Sequence, residues 1–328
     1  MPSRLFSRAP TLRAARLPVL LRLLPILAVL CACAPLAPDE AASDAKVWRA
    51  SARSFIPYDE LLQQARAADV VLLGETHHNP SHHALQARLL AALSESGQRP
   101  VLVMEQFDIE QQDRLDAIKA SAASGDIKLA AYKALMGEGW EWKGYQPLLS
   151  LAVKHELPVL AANISRASLR EVMRGGQEML GSGEPQRLGL ASGWRREQQD
   201  ALSKDIAVAH CDALPPAAIS ALTLAQRARD AVMADRLLSV RGSKAVAILG
   251  RGHVRQDLAV PLYLKQRAPR TSVLAVGMVE ATPPFHPAEL AYGPLGQRYD
   301  AVVYAGLVER DADPCAAFQK PAAASAAQ

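Results

Sequence analysis

Six stretches of this chain are apolar without alternation: 69–75 (DVVLLGE), 100–107 (PVLVMEQF), 157–164 (LPVLAANI), 244–253 (KAVAILGRGH), 271–280 (TSVLAVGMVE) and 300–308 (DAVVYAGLV). A strand with one wet face alternates apolar and polar residues, whereas a strand covered on both faces reads as a continuous apolar run. Helical patterns separate several of the runs. This order predicts the α/β class, with a mostly parallel β-sheet flanked by helices. The chain has 328 residues and is 50% hydrophobic, enough to supply both covering layers. Residues 108–155 and 165–240 carry more helix than simple crossovers need. They predict a smaller helical subdomain over the C-terminal edge of the sheet.

Polar residues gather where the runs stop. Glu75, Glu105, Asn163 and His253 each lie at or just past a C-terminal end. In an open α/β sheet those ends converge on one crevice, which is where ligands bind. The stretch GETHHNPSHH holds four histidines. Asn79 followed by Pro80 predicts a capped helix start, and Leu85, Leu89 and Leu93 continue that helix as an apolar stripe. His77 and His78 therefore fall in the strand-to-helix turn, and His82 and His83 in the first helical turn. Two such environments argue against one four-histidine cage.

Gly74-Glu-Thr-His77 is echoed by Gly250-Arg-Gly-His253 at the end of another apolar run. Glycine there permits a tight turn and close approach. With Glu75 and Glu105, His77 and His253 make a possible metal-binding set or general acid/base set. The simpler alternative is histidines bonded to loop backbone.

The segment GWEWKGYQPLL concentrates Trp140, Trp142 and Tyr145 in a chain with only 5% aromatics. A flat ligand could be clamped there. The Tyr145 phenolate could ligate ferric haem, with Lys143 pairing a propionate. Packing of a helical core would use the same residues. In AQRARDAVMADRL, the residues Gln226, Arg229, Asp230 and Met233 fall at helical spacing. They could line the crevice or form an exposed ion-paired face.

Residues 1–33 are set apart. A basic, acid-free start precedes a short apolar region broken by Arg22, as in a signal peptide. The end, Leu30-Cys31-Ala32-Cys33, resembles a lipobox with Cys33 as the acylated residue, and predicts anchoring at the outer membrane. Residues 34–46 then read as a tether, and 311–328 as a disordered tail. The leader holds five arginines and no acid, so its removal takes the formal charge from +4 to −1. Nothing in that balance favours nucleic acid. Cys211 and Cys315 remain, and their pairing is open at this stage.

Taken in order, VVLLGETHHNPSHHALQ, VLVMEQFD, GWEWKGYQPLL, VLAANISR, LAQRARDAVMA and GRGHVRQDLAVPLYL resemble the ChaN-type haem-binding lipoproteins. The resemblance runs from about residue 47 to 310 and implies a haem-binding α/β domain. It further implies a role in haem and iron uptake beside an outer-membrane haem receptor, with haem held between two monomers. It assigns the iron ligand to Tyr145 and a propionate contact to Lys143. His77, His78, His83 and His253 remain open as the histidine partner. The paired Gly-x-x-His motifs are also similar to the TraB/TIKI group. That likeness implies a metal-dependent hydrolase using Glu75, His77, Glu105 and His253 with Mn, Co or Zn.

Overall fold

Each of the six apolar runs forms a strand of one eight-stranded sheet. In the computed structural model the described residues are 46–191, 194–240, 242–282, 284, 298–308 and 315–316, all within the unit Pro38–Gln328. The leader with Cys33, residues 34–45 of the tether and all of the tail except 315–316 lie outside them. Lys46, read as the end of the tether, opens the first strand.

The strands are β1 (Lys46–Arg49), β2 (Ser54–Ile56), β3 (Val70–Glu75), β4 (Val101–Asp108), β5 (Val159–Asn163), β6 (Ala245–Gly250), β7 (Val273–Glu280) and β8 (Ala301–Ala305). Their spatial order is β2-β1-β8-β7-β3-β6-β4-β5. From β8 to β5 every pairing is parallel; β1 pairs antiparallel with both β8 and β2. The sheet is thus mixed α/β in kind, mostly parallel, with an antiparallel edge.

The continuous apolar runs follow from two covering layers. Val71, Leu73, Leu102, Met104, Val246 and Ile248 point into one core. Helices α1 (Tyr58–Ala67), α2 (Pro80–Glu95), α3 (Gln112–Ala120), α4 (Gly125–Leu135) and α5 (Trp142–Lys154) complete that core. Their neighbours Val70, Leu72, Val101, Val103, Ala245 and Ala247 point into the other core. Helices α6 (Arg166–Gly175), α9 (Pro216–Ser239) and α10 (Val260–Arg267) cover it. Two further helices, α7 (Glu184–Arg187) and α8 (Arg196–Ala209), precede α9.

Local chemistry sets the start of α2. The Asn79 side chain accepts from the Ser81 and His82 amides at 2.9 and 3.1 Å, and Pro80 follows at the first helical position. Such a cap stabilises a helix by about 1 kcal/mol. Asn79 also donates to Glu280 Oε1 and to the Gly306 carbonyl, both at 3.0 Å, so it ties α2 to the ends of β7 and β8.

The outer edge of β5 is closed by side chains. Gln112 accepts from the Ala161 amide at 2.9 Å and donates to the Val159 carbonyl at 3.1 Å. Arg236 donates to the Ala161 carbonyl at 3.0 Å and to Gln112 at 2.8 Å. Past α8, Cys211 is disulfide-bonded to Cys315, 104 residues further along the chain.

Candidate functional site

The C-terminal ends of β3, β4 and β6 lie side by side, and each delivers a carboxylate or histidine. Glu75 ends β3 opposite Gly250 of β6. The two Gly-x-x-His motifs interlock there. A Cβ on Gly74 would stand 2.2 Å from Val254 Cγ2 and 3.0 Å from the Arg251 backbone. A Cβ on Gly250 would stand 3.0 Å from the His77 ring. Close packing therefore requires glycine at 74, and at 250 any side chain would have to displace the His77 ring slightly.

Glu75 is buried and fully engaged. Its Oε1 accepts from the Tyr145 hydroxyl at 2.5 Å and lies 2.9 Å from His77 Nδ1. Its Oε2 accepts from Gln86 at 2.8 Å and lies 3.4 Å from His83 Nε2. Burial pushes the Glu75 carboxyl up, but its interactions with His77 and His83 outweigh burial and hold its pKa at about 2. For His77, burial disfavours the charge, yet the bond to Glu75 and the field of Glu105 raise its pKa.

A second buried cluster adjoins the first. His253 Nδ1 lies 2.6 Å from Asp230 Oδ1, and its Nε2 lies 3.4 Å from Glu105 Oε1. Glu105 Oε2 accepts from the Gly250 amide at 2.6 Å. Burial alone would strip the His253 proton, but Glu105 and Asp230 overcome it and lift the pKa to about 10. Burial likewise works against the Glu105 charge, yet His253 holds that pKa at about 2. Asp230 is pushed by burial to about 6 in spite of His253.

A cleft of about 520 Å³ opens beside these clusters, lined by His77, His78, Trp140, Glu105, Gln106, Asn163, Arg166 and Arg229 among others. Its wall owes much to an irregularity in β4. The ladder to β6 ends at the Met104–Ile248 pair, and the register to β5 shifts between Met104 and Asp108. A bulge of this kind re-aims side chains. It lets Glu105 and Gln106, adjacent in sequence, both serve the cleft.

The expected site residues divide three ways. His77, His78 and Trp140 line the cleft, as do Glu105 and Arg229. His253, Glu75 and Asp230 stand behind it as buried, paired groups. Tyr145 and Lys143 depart from the ligand geometry expected of them. Tyr145 is fully buried, its ring is 4.7 Å from that of His83, and its hydroxyl is held by Glu75. Burial first and Glu75 second raise the phenol's pKa, which disfavours a phenolate there. Lys143 is exposed and outside the cleft lining. His83 is buried in α2, and Trp142 packs partly buried against the first core. Gly144 explains His83: a Cβ at that position would stand 2.2 Å from the ring, so the α2–α5 contact is tight. His82 accepts from the Thr76 amide at 2.9 Å, and burial lowers its pKa to about 4. Met233 belongs to the second core.

Sequence reasoning missed Gln86, Gln106, Asp108, Glu138 and Arg166. Gln86 was legible as a polar residue one position from the Leu85 stripe. Gln106 had no such signal. Among the described residues, no group of three or more His, Cys, Asp or Glu side chains is placed to hold a metal ion. Glu75, Glu105 and His253 are instead spent on partners that leave few free lone pairs.

Comparison with known proteins agrees with this architecture. Residues 61–264 match the model of the family described as haem-binding uptake, Tiki superfamily, ChaN. Among solved structures, ChaN of Campylobacter jejuni, described as binding haem cofacially, superposes with a TM-score of 0.65 at 18% identity. The match covers 80% of this chain and 97% of that chain. A mutant of the erythromycin esterase EreC, in its open conformation, matches at 12% identity and a TM-score of 0.42, covering 81% of this chain and 100% of that one. A likeness at that score supports no functional conclusion. No curated protein matches the chain.

Proposed function

This chain belongs to the ChaN family of haem-binding uptake proteins in the Tiki superfamily, and we propose that it binds haem at the strand-end cleft and serves haem uptake. The family match over residues 61–264 carries the reading. The cleft suits such a ligand: Trp140 and His77 pack edge to face at 4.8 Å beside it, and His78 is exposed at its margin. The buried Gln106 amide and half-buried Arg229 offer donors to a polar edge. Haem would supply the iron and the flat apolar surface; the chain's own residues bind and orient it.

In this proposal His77 and His78 are the side chains best placed to approach the ligand. Tyr145 reaches it only by giving up Glu75. The Campylobacter jejuni protein binds haem cofacially, and a cofacial pair here would join two copies of the chain as a homodimer. The leader sequence with Cys33 supports a lipid anchor on the periplasmic face of the outer membrane, beside a haem receptor. The Cys211–Cys315 disulfide agrees with an oxidising compartment.

Haemin added to the purified mature chain tests the reading. Saturable binding followed by the Soret band, with a doubling of sedimenting mass at saturation, is the expected result. No uptake of haemin removes the function, and a monomer at saturation removes the dimer. An unchanged spectrum in Tyr145→Phe removes tyrosine as the ligand. The metal-dependent hydrolase reading has no three-donor centre to rest on among the described residues.

A further inference from the structure

We infer that Arg229 and Gln106 form a carboxylate seat in the cleft. Gln106 is 2% exposed, yet neither its amide nitrogen nor its amide oxygen has a hydrogen-bond partner. It lies near the Tyr145 hydroxyl without reaching bonding geometry; that hydroxyl is held by Glu75 at 2.5 Å. An unpartnered buried amide costs about 1–3 kcal/mol. Such a cost is ordinarily removed by a partner, and the amide lines a cleft that can admit one.

Arg229 gives the same indication independently. It is half-buried in the same lining, its Nε is buried without a partner, and no ion pair within 4.0 Å engages it among the described residues. Other arginines of the fold behave differently. Arg187 and Arg267 both hold Asp235, and Arg255 holds Asp257. Arg229 projects from α9, which also supplies Asp230 to His253. The helix thus carries Arg229 into the cleft lining beside the His253 cluster.

Charge selects the ligand class. Arg166 and Arg229 face Asp108 and Glu138 around the same opening, and Glu105 is balanced by His253. A group with a single negative charge fits that balance. A phosphate dianion would bring two charges to a lining that already holds Asp108 and Glu138. Guanidinium N–H groups match a planar carboxylate in paired fashion, and the Gln106 amide adds one more donor. The carboxylate comes either from a haem propionate, in which case the inference rests on the haem reading, or from a free small carboxylate.

Titrations of the mature chain separate these sources, using haemin, haemin dimethyl ester and sodium propionate. Wild type is compared with Arg229→Gln, Arg229→Lys and Gln106→Leu, each checked for fold by circular dichroism. If the seat takes a haem propionate, Arg229→Gln and Gln106→Leu each lower haemin affinity by about tenfold. They leave the dimethyl ester unchanged. If it takes a free carboxylate, sodium propionate raises the melting temperature of wild type and not of Arg229→Gln. Should Arg229→Gln not fold, Arg229→Lys carries the same comparison with a smaller loss, because Lys keeps the charge without the planar fork. Equal behaviour of wild type and variants toward all three probes overturns the seat. Failure of wild type to bind haemin defeats the haem reading alone, because the propionate arm still decides the seat.

Discussion

The ends of β3 and β4 meet the same crevice and treat their polar side chains in opposite ways. At β3, the Glu75 carboxylate accepts from Tyr145 and Gln86 and holds two histidine rings close. At β4, Glu105 is similarly engaged, but its neighbour Gln106 is buried with nothing to bond. A satisfied buried network rigidifies a fold, while an unsatisfied group only costs stability until a ligand arrives. The Glu75 carboxylate is therefore scaffold, while the Gln106 amide is left with bonding capacity to spare at the cleft.

The largest effect should come from breaking the scaffold. His253→Ala strands Glu105 and Asp230 as buried carboxylates without their cation, and should cost about 3–5 kcal/mol in urea unfolding. An unchanged midpoint would mean the cluster is not a buried ion network. Tyr145→Phe removes one bond to a buried charge. It should cost about 1.5–3 kcal/mol by the same measurement.

The third prediction concerns pH. Glu75 and Glu105 are depressed from 4.5 to about 2, so their stabilisation is complete above 4.5 and disappears as pH falls through 2. His253 is raised from 6.5 to about 10, so its contribution is complete below 6.5 and disappears as pH rises through 10. Asp230 opposes the acid limb, because burial raises it from 3.8 to about 6 and favours its protonated form. His82, lowered from 6.5 to about 4, gains stability as pH rises to 6.5 and offsets Asp230, so stability should be greatest between about pH 4.5 and 6.5. Unfolding free energy measured at pH 6 and pH 10 should fall at the higher pH in wild type, and by less in His253→Gln.

The smallest effect sharpens the contrast. Gln106→Leu removes two atoms that bond to nothing, so stability should stay level or rise by about 1 kcal/mol while haemin binding weakens. A marked loss of stability would show that Gln106 has a structural partner and that the two strand ends are alike.

Much of this was legible because physics leaves a local trace. Strands covered on both sides must be apolar throughout, and all six such runs are strands. Asn79-Pro80 carries its capping chemistry in two adjacent residues. The strand-end positions of Glu75, Glu105 and His253 follow from the same reasoning. β1 and β2 escaped notice because four and three residues hold too little pattern. The burial of Tyr145 was not legible, because an aromatic cluster reads alike for a ligand clamp and a packed helix face. Gln106 was invisible because alternation would turn it away from Glu105; only the β4 irregularity brings both inward.

The edge of β5 has a consequence for assembly. Gln112 and Arg236 already occupy the backbone groups of Val159 and Ala161 that another strand would need. Over that stretch the sheet cannot be lengthened by a strand of a second molecule, which blocks uncontrolled edge-to-edge pairing there. A molecule that approached this edge would be met by side chains rather than by free backbone, so contact there would depend on side-chain chemistry.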